Sequence, residues 1–525
     1  MESAANPLPN GRASFARFMQ KYPCAVCLAA GIIYSVQFWS EYTAVFAFPG
    51  LAVFYFSMFS DGGRRLFRKA FCFGMGFYVP LYYWFSALYP FEGFGFTAAQ
   101  GIMIIAAACI GISLLHSFAA AAVLSAARFM PRSRFFLPFA CAALWTAAEW
   151  VLSLGELGFS WGKTAIGQAS FLPMIETASL FGSYFIAFAV SASAFCMGEW
   201  LIKCDSRMLA LGCGIIALNI TAGTVLYLLP ADTVQTADIA IIQGNITTAD
   251  KWSEDYYGNI VDTYVKLTAE AADNGAGLVF LPESPIPRYS GTDCERLAPL
   301  AEIAREKGIT VLTGVLIYED GCYYNSIVSI LPDGSINGRY DKRHPVPFGE
   351  SVPYESLLYT ILPSLENLNL SDTVLTAGDD TGLISVSGFT FAPLVCFDSI
   401  FSECAREAVR DGADAIFVAT NDSWYKDTRG VYEHRSFSVL RAVENGRYVV
   451  RAANTGISCI TDTKGNVLCD TRAMERTILY GSVYSCESVT LYSLIGDIWL
   501  YVCFAVILCG ASITVYKKIR SKRKT

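Results

Sequence analysis

Histidine and charge are both scarce in this sequence. Its 525 residues include three histidines, His116, His344 and His434, and Asp, Glu, Lys and Arg together supply 16% of positions, where ordinary globular domains carry about 25%. So few histidines leave little with which to build a metal centre, and no metal or cofactor is expected. Glycine-rich phosphate loops, low-complexity linkers and internal repeats of about 20–50 residues are also missing. The net charge is −7, without a basic patch and without an RNA-binding or helix-turn-helix signature. Nucleic acid is therefore excluded as a partner.

What is plentiful is apolar: 54% of residues are hydrophobic, the bias of a membrane protein. The apolar density divides the chain into a membrane part over 22–229, a soluble-looking domain over 230–487 and a last apolar segment over 488–514, with short tails over 1–21 and 515–525. Stretches of roughly 20 apolar residues suffice to cross a bilayer. Eight are expected, over 22–40, 42–59, 71–88, 98–126, 135–153, 171–202, 208–229 and 489–513. Lys and Arg mark every second connection: Arg12, Arg17 and Lys21, then "GRRLFRK", "RFMPRSR", Lys203 with Arg207, and the tail "KKIRSKRKT". The alternate connections, around Glu41, "PFEGFGF" and "LGELGFSWGK", hold almost none. Positive loops stay inside, so both termini are expected in the cytoplasm and the soluble domain outside. The first apolar span follows basic residues but has no small-residue cleavage site, which argues against a removed signal peptide. "CAVC" at 24–27 lies in that span without a second cysteine pair, and reads as membrane helix rather than as a metal site. Glu149 and Glu176 fall inside apolar spans, where a carboxylate is either functional or close to the interface.

Seven of the seventeen cysteines lie in the outward domain: Cys294, Cys322, Cys396, Cys404, Cys459, Cys469 and Cys486. An odd count leaves at least one thiol unpaired, and connectivity is not readable. Short β-rich runs alternate here with amphipathic stretches, the pattern of an α/β domain. Strands are expected over 237–246, 277–283, 309–319, a hairpin over 324–342 turning at "PDG", the run into Cys396, 413–422, and the closing segments around 447–471. Helices are expected over 255–273, 297–308, 400–411 and 432–446.

Three strand ends carry reactive groups. Glu283, in "FLPESPIP", sits between prolines at an apolar strand end; it is a general base or a loop carboxylate capping a backbone N–H. Lys342 closes the hairpin in "GRYDKRHPVPFGESVPYE", where prolines fix the loop. It is either a hairpin-end lysine in water or an ammonium placed to stabilise an oxyanion, kept protonated by Glu350. Cys396, in "PLVCFDSIF", lies at a strand-to-helix turn whose amides lower a thiol pKa, unless it is a small buried hydrophobe. Together the three supply base, cation and nucleophile, a complete set for acyl transfer. Trp252, Trp424 and Tyr425 fall in loops suited to a lid or to the membrane interface, with core packing the alternative for Trp252.

These residues resemble the nitrilase, or carbon-nitrogen hydrolase, superfamily, which uses a Glu-Lys-Cys triad in an αββα sandwich. With the membrane spans, and with "QGNI", "KW", "PESPIP", "VPFGESVP", "NDSW" and "EHRSFSVLRAVENGRYVVRAANTGIS", the resemblance narrows to its membrane-embedded apolipoprotein N-acyltransferases and covers nearly the whole chain. It implies a multi-pass helical domain in the bacterial plasma membrane with a periplasmic or extracytoplasmic catalytic domain, acting as a monomer. Its triad would be Glu283, Lys342 and Cys396, supported by Glu350 and Asp398, with Trp252, Phe397, Trp424 and Tyr425 toward substrate. A phospholipid, typically phosphatidylethanolamine, would donate its sn-1 acyl chain to Cys396 as a thioester, and the α-amine of a diacylglyceryl-cysteine apolipoprotein would accept it. A tethered amidase releasing the acyl group to water, and a silent scaffold, are the competing functions. The sequence departs from the family where Cys396-Phe397-Asp398 replaces Cys-Tyr-Glu, where Trp424-Tyr425-Lys426 replaces Trp-Phe-Gly, and after Glu149-Trp150, where the usual arginine is missing.

Overall fold

The computed structural model describes residues 21–90, 97–361 and 374–523. The expected basic segment with Arg12 and Arg17, and most of "PFEGFGF", lie outside the described residues. Among the described residues, four helices are long and apolar enough to cross a membrane: Ala98–Phe129, Ser183–Lys203, Ser206–Leu228 and Ile498–Lys522. Shorter apolar helices cover Pro23–Phe38, Ala44–Phe59, Leu137–Val151 and Leu172–Phe181, and Leu66–Leu81 runs among them. Two expected spans start too early. The one over 171–202 is cut at Gly182, whose φ of 77° makes a corner before Ser183–Lys203. The one over 489–513 begins only at Ile498, because a separate short helix, Leu491–Ile495, takes up its start.

The shorter helices are held by packing rather than by length. Tyr34 is buried at their centre, 4.7 Å from the Phe77 ring and 5.3 Å from Trp145. Glu149 is buried beside them and acts structurally. Its Oε1 accepts from Trp145 Nε1 (3.0 Å), from the Thr164 backbone N–H (3.1 Å) and from the Thr164 hydroxyl. It thereby satisfies a free amide at the start of the short helix Thr164–Gly167.

The remainder is built from strands β1 (Thr233–Gln243), β2 (Leu278–Phe280), β3 (Tyr289–Ser290), β4 (Thr310–Glu319), β5 (Cys322–Ile330), β6 (Ile336–Asp341), β7 (Ile384–Val386), β8 (Phe389–Val395), β9 (Ala415–Thr420), β10 (Tyr448–Ala453), β11 (Cys459–Thr461), β12 (Val467–Asp470) and β13 (Thr477–Cys486). They form two sheets, β13-β1-β2-β4-β5-β6 with β3 beside β4, and β12-β11-β10-β9-β8-β7. The two-residue period of a strand explains the layering. Ile239 and Ile241 of β1 face a core shared with Phe391, Phe417 and Val450 of the other sheet, whereas Ala240 and Ile242 face helices Tyr257–Asp273 and Ala298–Lys307. Phe280 seals the middle, 4.9 Å from Phe417 and 5.3 Å from Phe391. Helices Ser402–Arg410 and Arg429–Asn445 cover the second sheet, and their apolar faces merge with the membrane helices in one continuous core. The result is the expected αββα sandwich set against a helical bundle. Strand β13 was not expected; it pairs antiparallel with β1 from Cys486 opposite Thr233 to Thr477 opposite Gln243.

Candidate active site

Parallel strands β2, β8 and β9 deliver their C-terminal ends to one place, the position at which α/β sheets hold ligands. Glu283 lies just beyond β2. Its Oε1 accepts from Asn325 Nδ2 (2.7 Å) and faces Lys342 Nζ at 3.4 Å, and its Oε2 accepts from the Asn421 backbone N–H at 2.9 Å. Lys342 directly follows β6 and is buried between two carboxylates, with Nζ 2.8 Å from Glu350 Oε2 and 3.4 Å from Glu283 Oε1. Burial alone would lower its pKa, but Glu350 and then Glu283 outweigh that and hold the ammonium above its ordinary value. Glu350 is fixed in turn by the Val346 N–H, which donates to its Oε2 at 2.8 Å.

Cys396 directly follows β8 at a φ of 48°, a left-handed conformation that costs a residue with a Cβ about 1–2 kcal/mol and turns the chain abruptly into the short helical turn Cys396–Ile400. Its surface remains partly open, although burial of its surroundings dominates its ionisation. Burial first and the Glu283 charge second push the thiol well above its ordinary pKa, with Lys342 pulling the other way. The resting thiol is therefore protonated and needs a base to attack.

Gly314 of β4 shows how closely the Glu283 turn is packed. A Cβ there would meet Ser284 N at 2.5 Å, Pro282 O at 2.8 Å and Glu283 Cα at 2.9 Å, all backbone. Gly314→Ala is expected to displace Glu283 and lower activity by about 10²-fold while costing about 1–3 kcal/mol of stability. Initial rates alongside thermal unfolding of the same preparation check both.

The other sequence-derived candidates separate into different environments. Asp398 is fully buried: Oδ1 accepts from the His344 backbone N–H (2.8 Å) and Oδ2 from the Tyr340 hydroxyl (2.9 Å) and the Val395 N–H (3.2 Å). An acceptor-only carboxylate cannot donate to an oxyanion. Asp398 instead ties the nucleophile turn to residues on both sides of Lys342, and Tyr340 reaches it despite the side chain being one methylene shorter than glutamate. Phe397, expected toward substrate, is 3% exposed and packs on Phe159 (5.7 Å) and Phe401 (5.3 Å). Tyr425, expected in a lid, is buried against Trp84 (4.8 Å) and Trp161 (5.5 Å) of the helical bundle. Both aromatics fill the joint between the halves because their ring area is best used in that dry contact. Trp424 and Trp252 do face outward, at 43% and 54% exposure, and for Trp252 this decides against core packing.

Sequence reasoning missed Asn325, Asn421, Lys251 and a buried trio behind Cys396. Asp422 Oδ2 accepts from Arg451 Nη2 at 2.7 Å, and its Oδ1 lies 2.7 Å from His434 Nδ1. His434 Nε2 in turn lies 3.1 Å from Ser399 Oγ and 3.3 Å from the Cys396 carbonyl oxygen. Asn421 and Asp422 follow β9 in "NDSW", so the strand-end rule that found the triad would have found them too. All seventeen cysteines are free thiols. Two groups, His344-Asp398-Cys404 and Cys396-Asp422-His434, bring potential metal-ligand atoms within 4.8 Å of one another. In each, however, the carboxylate is already engaged by N–H and O–H donors.

Family models match both halves: carbon-nitrogen hydrolase over residues 238–488, which contains Glu283, Lys342 and Cys396, and the apolipoprotein N-acyltransferase N-terminal domain over 30–196. An apolipoprotein N-acyltransferase from Photobacterium profundum is 30% identical over 366 residues, 68% of this chain and 69% of that protein. The chain belongs to the apolipoprotein N-acyltransferase family. A second member, from Geobacter metallireducens, is 27% identical over 509 residues, 95% of each chain. Among solved structures, the nitrilase-superfamily protein Nit3 of Saccharomyces cerevisiae is 18% identical, with a TM-score of 0.38, covering 48% of this chain and 91% of its own.

Proposed function

We propose that this membrane acyltransferase moves one acyl chain from the sn-1 position of a phospholipid, phosphatidylethanolamine in the first instance, to the α-amine of the diacylglyceryl-cysteine of an apolipoprotein. The reaction passes through a thioester on Cys396. The observation that carries this reading is the burial of Lys342 between Glu283 and Glu350 at the strand ends from which Cys396 also emerges. Glu283 takes the thiol proton as Sγ attacks the ester carbonyl. The fixed ammonium of Lys342 meets the charge that develops on the carbonyl oxygen. As the C–O bond breaks, Glu283 returns the proton to the departing lysophospholipid oxygen, leaving the thioester and an ionised carboxylate. In the second half the acceptor amine attacks, Glu283 receives its proton, and collapse expels the Cys396 sulfur as the amide forms.

The contacts of the helical bundle support an arrangement with the catalytic domain, 230–487, outside and both termini in the cytoplasm, held by a membrane part over 22–229 and a last span over 488–514. The positive connections meet one another: Arg134 pairs with Asp205 at 2.6 Å, and Arg132 lies 5.0 Å over the Phe59 ring. The charge-poor connections meet the α/β half instead, through Glu41 with Arg435 (2.9 Å), the Tyr89 carbonyl oxygen with Lys426 Nζ (2.8 Å) and Glu156 with the Tyr354 N–H (2.6 Å). Both substrates keep their chains in the bilayer, and this arrangement holds the chemistry at its edge.

Purified protein in detergent, given phosphatidylethanolamine and a diacylglyceryl lipopeptide, is expected to add one acyl chain to the peptide by mass spectrometry. Release of free fatty acid with an unmodified peptide would establish a hydrolase and overturn the transfer. The charge on Glu350 helps keep Lys342 protonated, because it opposes the lowering of Lys342 by burial. Glu350→Gln is expected to reduce the rate about 10–100-fold and to move the alkaline fall-off of the pH–rate profile to lower pH.

A further inference from the structure

A second lysine stands at this site without a role in the reaction as described. Lys251 closes the short helix Thr248–Lys251 and is buried, while its neighbour Trp252 is exposed. Its Nζ donates to the Glu283 carbonyl oxygen at 3.2 Å and to Ser284 Oγ at 2.9 Å. An ammonium has three N–H groups, so one is left without an acceptor among the described residues. The titratable groups that act on it electrostatically are Glu283, Cys396, Glu350 and Lys342. The turn it grips is strained, since Ser284 has a φ of 41°, and Gly314 presses on that turn from behind. The same helix is latched to the far side of the site: Thr248 Oγ1 donates to Ser423 Oγ at 3.0 Å, and Ser423 Oγ also accepts from Asn421 Nδ2 at 2.9 Å.

We propose that Lys251 is a positioning residue: its ammonium clamps the strained turn that carries Glu283 and supplies a second positive charge that favours the thiolate of Cys396. This role rests on the reading of Cys396 as the acylated nucleophile. A buried lysine normally costs stability, and one that donates to the backbone carbonyl of the general base and to the hydroxyl of the next residue is spent where it fixes that base. Burial pushes the Lys251 ammonium down to about 8, with Glu283, Cys396 and Glu350 holding it up and Lys342 acting with burial. Its charge is therefore present below that pH and lost above it. Loss of the charge removes support for the thiolate and loosens the turn together.

The test uses the full chain in detergent micelles and reads Cys396 directly, by its alkylation with iodoacetamide, followed at the Cys396 peptide by mass spectrometry from pH 6 to 10. Lys251→Met is expected to slow alkylation at pH 7 by tenfold or more. Lys251→Arg, which keeps the charge throughout this range, is expected to stay within about threefold of the wild type at pH 7 and to go on accelerating above about pH 8, where the wild type loses its second charge. Ser284→Ala, which loosens the clamp and keeps the charge, is expected to lower the acylation rate several-fold with the alkylation rate at pH 7 unchanged, and with Lys251→Arg it carries the test should Lys251→Met fail to fold. An unchanged rate at pH 7 in Lys251→Met, or an unchanged rate above pH 8 in Lys251→Arg, overturns the proposal. Alkylation that responds as expected in a protein that acylates no lipopeptide leaves the role of Lys251 standing and overturns the acyl-transfer reading instead.

Discussion

Replacing Cys396 by alanine is expected to lower acyl transfer by about 10⁴-fold or more, equivalent to roughly 5 kcal/mol of transition-state stabilisation, and to abolish the acyl adduct seen by mass spectrometry. Stability is expected to change by no more than about 1 kcal/mol. The side chain is small and partly open to solvent, and alanine is no worse than cysteine at a φ of 48°. That separation of activity from stability makes the variant informative. Removing Lys342 instead would leave Glu283 and Glu350 facing one another in a buried site, and any loss of activity would be mixed with loss of structure. Cys396→Ser is the sharper control. It keeps the shape and supplies a hydroxyl, but a serine oxygen gives up its proton far less readily than a thiol, so Glu283 cannot activate it to the same degree. A serine or alanine variant that retained more than a few per cent of the wild-type rate, measured as lipopeptide acylated per unit time, would remove Cys396 from the mechanism.

The three candidate groups, Glu283, Lys342 and Cys396, were legible because each follows a segment that reads as a strand from sequence alone. "GLVFL" before Glu283, the Asp-Gly hairpin before Lys342 and "FTFAPLV" before Cys396 place three reactive groups at strand ends without any knowledge of how the strands pair. Strand β13 was not legible for the opposite reason. Its run "TILYGSVYSC" holds β-forming residues but is broken by Gly481, and its place is set by β1 across a gap of more than 200 residues in the chain. The aromatic residues mislead in a third way. Phe397, Trp424 and Tyr425 look alike in sequence, yet Trp424 faces outward while the other two fill the joint with the helical bundle. Which side of a loop a ring takes depends on what the rest of the chain brings to it, here Trp84, Phe159 and Trp161. The charged partners were hidden similarly: Lys251, Asp422 and Arg451 come together only through the fold.

The second large effect concerns stability, and it follows from that hidden pairing. Arg451→Met is expected to cost about 3–5 kcal/mol, the usual penalty for removing one partner of a buried ion pair. Arg451 of β10 and Asp422 are both fully buried, with 2.7 Å between Nη2 and Oδ2. Burial alone would raise the Asp422 carboxyl; Arg451 first and His434 second overcome this and hold it well below the ordinary carboxylate range. A depressed carboxyl contributes stability that is present above its unfolded pKa and lost as the pH falls through its folded one. In Arg451→Met the dominant compensating charge is gone and burial prevails, so the sign reverses: the carboxyl rises above its unfolded value, and the variant regains stability on acidification from neutral pH toward the ordinary carboxylate range. Denaturation midpoints in detergent at pH 7 and pH 5 read both effects. A variant as stable as the wild type at pH 7, or one that only loses stability toward pH 5, would mean that Asp422 is carried by His434 and Thr420 alone. Because Asp422 lies 2.7 Å from His434, and His434 lies 3.3 Å from the Cys396 carbonyl oxygen, the same substitution also loosens the turn that presents the nucleophile. Arg451→Met combined with Asp422→Leu removes both charges, and replacing a buried pair by apolar groups is often close to neutral. Recovery of stability in the double variant without recovery of activity would separate the electrostatic cost of an uncompensated charge from the role of the pair in holding Cys396 in place.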